Sequence, residues 1–184
     1  MSKYWVQSNG ARAIDLVDPD LGEIDVADIA HHLSLINRYS GATERPYSVA
    51  QHCVLVAHSL ALAKCSREIQ FAGLVHDAAE AYLGDITSPV KRRLNSLCAG
   101  IVDMLEEPVE SAIARKLGAI YPWPPEVFDA DLRMLVTERR DLLGDIQTRP
   151  WGVDVAPHAD IQVLPWDATY AEGLWLARFS ELAP

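Results

Sequence analysis

The stretch LVHDAAEAYLGDITSPVK, residues 74–91, sets His76, Asp77, Glu80 and Asp85 among residues suited to burial: Phe71 to Val75 upstream, and Ala78 to Leu83 between the charges. A buried charge is costly unless it is paired or bound to a metal. Either the segment is exposed, then, or its charges hold something. The pattern predicts a helix over about Arg67 to Leu83. On it His76 and Glu80, four apart, share a face and Asp77 adjoins that face.

The flanking sequence reads as more helix. In YSVAQHCVLVAHSLALAKC (47–65), Ser48 followed by Gln51 is a capping-box pattern, so a helix starts at Val49 with His52 early in it. DVADIAHHLSLINRYSG (25–41) reads as a helix capped by Asp25 or Asp28, buried through Ile29, Leu33 and Ile36, and ended by Gly41. Before it, Asn9-Gly10 between strand-like residues is a two-residue hairpin signal. Downstream, Pro89 marks the start of another helix. An amphipathic stretch over 96–118 follows, kinked near Pro108. YPWPPEVFD (121–129) reads as a connector, DADLRMLVTERRDLLGDI (129–146) as a strongly periodic helix, and 147–165 as irregular. A last helix follows Asp167 as N-cap. The expected fold is an all-α bundle with a small N-terminal β-hairpin, one domain over residues 1–184.

Composition narrows the function. The 184 residues carry a net charge of -10, which repels polyanions and argues against a nucleic-acid polymer as partner. A small anionic ligand remains compatible, because a metal or local cations can reverse the field in one pocket. Cys53, Cys65 and Cys98 are odd in number and lack CxxC spacing. Cys53 and Cys65 fall in apolar stretches, which points to buried free thiols and a reducing cytosol. The N-terminal residues show neither a signal peptide nor a membrane span, so a cytoplasmic location is expected.

Imidazole and carboxylate together suit a divalent first-row ion. His76 and Asp77 are too few for a site, but His52 and Asp131 lie on other predicted helices, and bundle sites are assembled from facing helices in this way. Singly, each has a structural reading: His52 as a core histidine, and Asp131 as a carboxylate near a helix N-terminus.

YSVAQH, AGLVHDAAEAYLGDITSPVKR and DADLRMLVTERRDL together resemble the HD-domain metal-dependent phosphohydrolases. The likeness is to small bacterial 5'-deoxynucleotidases and to phage deoxynucleoside triphosphohydrolases, dATP-directed enzymes among them, and it spans roughly Ile29 to Leu142. The resemblance implies His52, His76, Asp77 and Asp131 as ligands of a metal, with Asp131 favoured over its neighbour Asp129. It implies Glu80 as the residue orienting the water, and Arg38 and Lys91 as phosphate contacts. It also implies a homo-oligomer, dimeric or hexameric. No histidine occurs between Ala78 and Ala130, so a single divalent transition ion (Zn, Co, Mn, Ni or Fe) is expected rather than two.

Glu80 would hold or deprotonate a water as general base. Asp85 is either a second carboxylate near that water or a turn residue after Gly84. His31 and His32 are expected in the core or at the surface, or at the pocket mouth; His58 as structural or exposed. Tyr39, Trp5, Tyr82 and Trp151 are candidates for contacting a base. The cations Lys91, Arg92 and Arg93 favour a dNTP triphosphohydrolase releasing deoxynucleoside and triphosphate, with a dNMP 5'-nucleotidase as the alternative and a non-catalytic nucleotide-binding module as a separate class.

Overall fold

In the computed structural model, residues 2–144 and 149–184 are described; residues 145–148, where the periodic helix was expected to end and the irregular stretch to begin, lie outside them. The protein is an all-α bundle with a two-stranded antiparallel hairpin at its N-terminus, as expected. Among the described residues, no helix is long and apolar enough to cross a membrane.

Strand β1 (Trp5–Gln7) pairs with β2 (Ala13–Asp15), Gln7 opposite Ala13. The turn is not the two-residue type expected from Asn9-Gly10. Ser8 N–H bonds the Arg12 carbonyl at 2.9 Å, Ala11 N–H bonds the Ser8 carbonyl at 3.0 Å, and the left-handed residue is Ala11 at φ 58°. This is the three-residue hairpin pattern, in which a turn is followed by a left-handed residue. Gly10 serves close approach instead: a Cβ there would collide with the Arg12 guanidinium and the Asp28 carboxylate. Arg12 in turn bonds Asp28 at 2.8 Å and Asp25 at 3.1 Å, pinning the hairpin to the start of the next helix.

That helix, α1 (Val26–Leu35), is capped by Asp25, whose carboxylate accepts from the N–H groups of Ala27 and Asp28. It ends at Leu35, well before Gly41, because the following residues pair with the chain entering the next helix. Asn37 bridges Ser48, Arg38 N–H bonds the Tyr47 carbonyl at 2.9 Å, and Val49 N–H bonds the Ile36 carbonyl at 3.0 Å. Arg38 therefore belongs to a separate tight turn (Arg38–Gly41), not to the helix of His31 and His32.

Helix α2 (Val49–Leu62) is the centre of the bundle and packs on α1, α3, α7 and α8. Apolar residues on nearly every face, from Val49 to Leu60, are buried, as a core helix requires. Ser48 caps it by accepting from Gln51 N–H. The second half of the capping box does not form. The Gln51 amide instead bonds the Leu164 carbonyl and the Trp166 N–H, both at 2.8 Å, and so holds the extended C-terminal segment against the bundle.

The helix expected over Arg67 to Leu83 is two helices, α3 (Arg67–Val75) and α4 (Glu80–Leu83), separated by a turn at 76–79. At the break the His76 ring takes the Gly73 carbonyl at 2.9 Å, and Ala78, Glu80 and Ala81 N–H bond three residues back. A side chain that competes for a backbone acceptor is a local reason for a helix to stop. Gly73 lets α3 press onto α2, since a Cβ there would overlap the buried Leu60 Cδ1 methyl.

Beyond Gly84, α5 (Ser88–Leu97) has Pro89 in its first turn, as expected. It meets α6 (Ile101–Leu117), which begins after left-handed Gly100 and carries Pro108 within it. Helix α7 (Pro125–Leu142) starts before Asp129, because Pro124-Pro125, expected as connector, forms its cap and first position. Asp131 thus lies in the second turn. Residues 149–167 hold no regular structure, and α8 (Ala168–Leu182) is capped by Asp167. Of the cysteines, Cys53 is buried as expected, Cys65 is only half-buried and Cys98 is exposed; all three are free.

Candidate metal centre and its cavity

The Ser48 cap fixes the first turn of α2, and with it His52, which is wholly buried. Its Nδ1 lies 2.5 Å from Glu138 Oε1 on α7, and its Nε2 lies 3.1 Å from Asp131 Oδ1 and 3.6 Å from Asp77 Oδ2. His76 sits at the end of α3. Its Nδ1 must be the protonated nitrogen, because its partner at 2.9 Å is the Gly73 carbonyl, which can only accept. Its Nε2 faces the site, 3.3 Å from Asp77 Oδ1. The two imidazole centroids are 5.4 Å apart.

The structure thus brings together all of the expected ligands from α2, the α3–α4 break and α7. Ligand atoms of His52, His76 and Asp131 lie within 4.8 Å of one another, as do those of Cys53, His76 and Asp77. Asp129 is exposed and takes no part. These groups could hold a metal ion, and the fit is chemical as well as geometric. His52 Nε2 and His76 Nε2 are buried without a hydrogen-bond partner. Such atoms carry a desolvation penalty that coordination would remove. Two imidazoles with two carboxylates suit a borderline divalent ion.

The electrostatics follow from burial and crowding. Burial and the Arg38 charge oppose protonation of His52, but the carboxylates of Glu138 and Asp131 outweigh them and raise it to about 10. Burial would raise Glu138, yet His52 and Arg38 hold it down to about 2. Glu80 is pushed up to about 9, first by burial and then by the Asp77 charge, and its Oε2 is buried without a partner. Asp85 is raised as well, mainly by burial.

Asp77, Asp131, Glu80 and Asp85 all face a cavity of about 920 Å³ whose wall also carries Arg38 and Lys91. Arg38 is buried and spans two carboxylates, with Nη1 3.3 Å from Asp77 and Nε 3.3 Å from Glu138. The Lys91 ammonium is paired with Glu106 at 2.8 Å. Arg92 and Arg149 reach the cavity; Arg93 does not, and bonds Ser96 instead. Of the aromatic candidates, Tyr39 and Trp151 line the cavity with ring centroids 6.2 Å apart, and the Arg139 guanidinium lies 5.0 Å over Trp151. Trp5 is exposed on the hairpin, and Tyr82 is buried against His32; neither lines the cavity.

The other histidines do not line the cavity. His32 bonds the Ala81 carbonyl at 2.7 Å, His31 lies 3.2 Å from Glu172 on α8, and His58 is exposed. His158 accompanies Ser59 at 2.8 Å in the core.

Sequence reasoning missed Glu138 and Tyr47. Both are fully buried, and the Tyr47 hydroxyl donates to Glu138 at 2.8 Å. A signal did exist: Glu138 falls seven residues, two helical turns, after Asp131 and between buried Met134 and Thr137 on one side and Arg139 on the other.

No family model matches the chain. It is 36% identical over 162 residues to the Escherichia coli (strain K12) protein named Uncharacterized protein YfdR, covering 88% of this chain and 85% of that protein. It is 35% identical over 130 residues to an uncharacterized protein of Rhodobacter capsulatus, covering 67% of this chain and 64% of that protein.

Proposed function

We propose that this chain, which belongs to one family with the Escherichia coli protein YfdR, is a metal-dependent hydrolase of the 5'-phosphoester of deoxynucleotides. The observation that carries the reading is the pair of buried, unpartnered Nε2 atoms of His52 and His76, set beside Asp77 and Asp131 at a cavity with a cationic wall. His52, His76, Asp77 and Asp131 would hold one divalent transition ion. When bound, such an ion polarises a phosphoryl oxygen and acidifies a water.

The remaining work falls to this chain's own residues. Glu80 Oε2, buried and without a partner, is placed to take the proton of the attacking water once a bound cation offsets the burial and the Asp77 charge that keep its carboxyl protonated in the metal-free protein. As that water adds to the α-phosphorus, the P–O5' bond breaks, and the released 5'-oxygen takes up the proton that Glu80 removed from the water, giving the deoxynucleoside hydroxyl. Asp85, on the loop between α4 and α5, faces the same space as a second carboxylate. Arg38 presents a planar guanidinium to phosphate oxygens, and Lys91 adds a point charge once it leaves Glu106.

Two observations favour a triphosphate over a monophosphate. The cavity, at about 920 Å³, lies at the upper end of the range for small-molecule sites. Arg92 and Arg149 add cations beyond Arg38 and Lys91. A dNTP triphosphohydrolase giving deoxynucleoside and triphosphate is therefore the preferred reading, and a dNMP 5'-nucleotidase the second. The test is a panel of dNTPs, dNMPs and ribonucleotides incubated with protein loaded with each of several divalent metals. Release of tripolyphosphate from dNTPs supports the first reading, release of phosphate from dNMPs alone supports the second, and absence of turnover with every metal contradicts both.

A further inference from the structure

We infer that Glu138 is a positioning residue that builds the metal centre and the phosphate arm as one unit. One oxygen sets the His52 ring, and the other holds the turn that carries Arg38. The inference rests on the reading of His52 as a metal ligand.

Glu138 is wholly buried on α7, does not line the cavity, and is not itself one of the expected ligands. A buried carboxylate persists only where its lone pairs are satisfied. Oε1 lies 2.5 Å from His52 Nδ1 and accepts from the Tyr47 hydroxyl at 2.8 Å. Because a carboxylate accepts, the proton is fixed on His52 Nδ1, and Nε2 is the nitrogen turned toward Asp131 and Asp77. Oε2 accepts from the Tyr39 hydroxyl at 2.5 Å and lies 3.3 Å from Arg38 Nε.

The second oxygen matters because of the backbone it holds. Tyr39, Ser40 and Gly41 are successive left-handed residues, at φ 58°, 51° and 75°. Non-glycine residues resist that conformation and keep it where the surroundings over-determine it. The turn is tied at its base by Arg38 N–H to the Tyr47 carbonyl, and beyond it by Tyr39 to Glu138. Tyr47 is itself a Glu138 partner, so the same carboxylate braces the turn from both ends. Loss of Glu138 would free the His52 ring and release Arg38 together.

Glu138→Gln keeps the shape but cannot accept at both oxygens. In the metal-free protein titrated with cobalt and followed by its visible absorption, Glu138→Gln is expected to bind cobalt roughly 10–100-fold more weakly than the unaltered protein, as for other partners of metal-bound histidines. Tyr39→Phe removes only the bond to Oε2. It should leave cobalt affinity near that of the unaltered protein, and weaken inorganic tripolyphosphate binding to the cobalt-loaded protein roughly three- to tenfold, the worth of one hydrogen bond. Unchanged cobalt affinity in Glu138→Gln, or unchanged tripolyphosphate binding in Tyr39→Phe, overturns the inference. If Glu138→Gln does not fold, the zinc-loaded unaltered protein decides by nitrogen NMR: a proton on His52 Nδ1 supports the inference, and one on Nε2 overturns it. Failure of the unaltered protein to bind cobalt would instead remove the metal-centre reading itself, a separate outcome.

Discussion

His52 Nε2 and Asp131 Oδ1 stand 3.1 Å apart, although one side chain comes from the first turn of α2 and the other from the second turn of α7. Neither is bonded to the other well enough to satisfy the imidazole, whose Nε2 stays without a hydrogen-bond partner. Two helices have been packed so that an imidazole nitrogen and a carboxylate from distant parts of the chain converge in the core. That arrangement is what an ion-binding site requires of its ligands and what a purely structural contact would avoid.

Asp77 offers one oxygen toward His76 and the other toward His52 and Arg38. Asp77→Ala is expected to abolish stoichiometric divalent metal uptake and with it turnover, while leaving the fold intact because the residue is only half-buried. Metal content by elemental analysis, read beside the thermal unfolding curve, checks this. Stoichiometric metal in the variant would exclude Asp77 as a ligand.

Glu80 faces the cavity but is not among the metal-ligand groups. Glu80→Ala should keep the metal and lose about 10²–10⁴ in kcat, the usual contribution of a general base. Full activity in the variant would remove Glu80 from the mechanism.

The metal-free protein should lose stability as pH rises. His52 is raised from 6.5 to about 10 because the carboxylates of Glu138 and Asp131 outweigh burial. Its contribution is therefore complete below pH 6.5 and lost as pH climbs through 10. Glu80 is raised from 4.5 to about 9 by burial and by Asp77, so the unfolded chain sheds that proton first, and stability falls over the same direction of pH. Metal uptake must displace the His52 proton, so apparent affinity should rise with pH over this window. Calorimetric titrations in buffers of different ionisation enthalpy read the protons released. Absence of proton release near neutral pH would contradict the electrostatic picture.

The seam between α2 and α3 is equally testable. A Cβ on Gly73 would overlap the Leu60 Cδ1 methyl, and Leu60 is buried and has little room to move. Gly73→Ala should cost about 1–3 kcal/mol through overpacking. Leu60→Ala should cost about 2–5 kcal/mol through the cavity it leaves. The double variant should be less destabilised than the sum, because each change relieves the other. Strict additivity in denaturant unfolding would show that the two residues do not press on one another.

Much of the site was legible because its signals are local. Ser48 and Gln51 announce the start of α2, and hence the place of His52, within a few residues. The charges of His76 and Asp77 stand out against apolar neighbours. The break after Val75 was not legible, because it turns on the His76 ring taking the Gly73 carbonyl, a choice of hydrogen bond rather than a residue pattern. The early start of α7 was hidden because consecutive prolines read as connector, whereas Pro125 forms the first helical position. Glu138 was out of reach for another reason: its bonds to His52, Tyr47 and Tyr39 link residues 86 to 99 positions apart, and only the packed bundle brings them together.

His52, His76, Asp77 and Asp131 are proposed to share one cation. Anomalous diffraction from zinc-loaded crystals, collected on either side of the absorption edge, tests it most directly. The expected result is a single strong peak about 2.0–2.2 Å from the Nε2 atoms of both histidines and from an oxygen of each aspartate. A peak elsewhere, or one reached by the His76–Asp77 pair but not by His52 and Asp131, would show that the four side chains do not hold one ion.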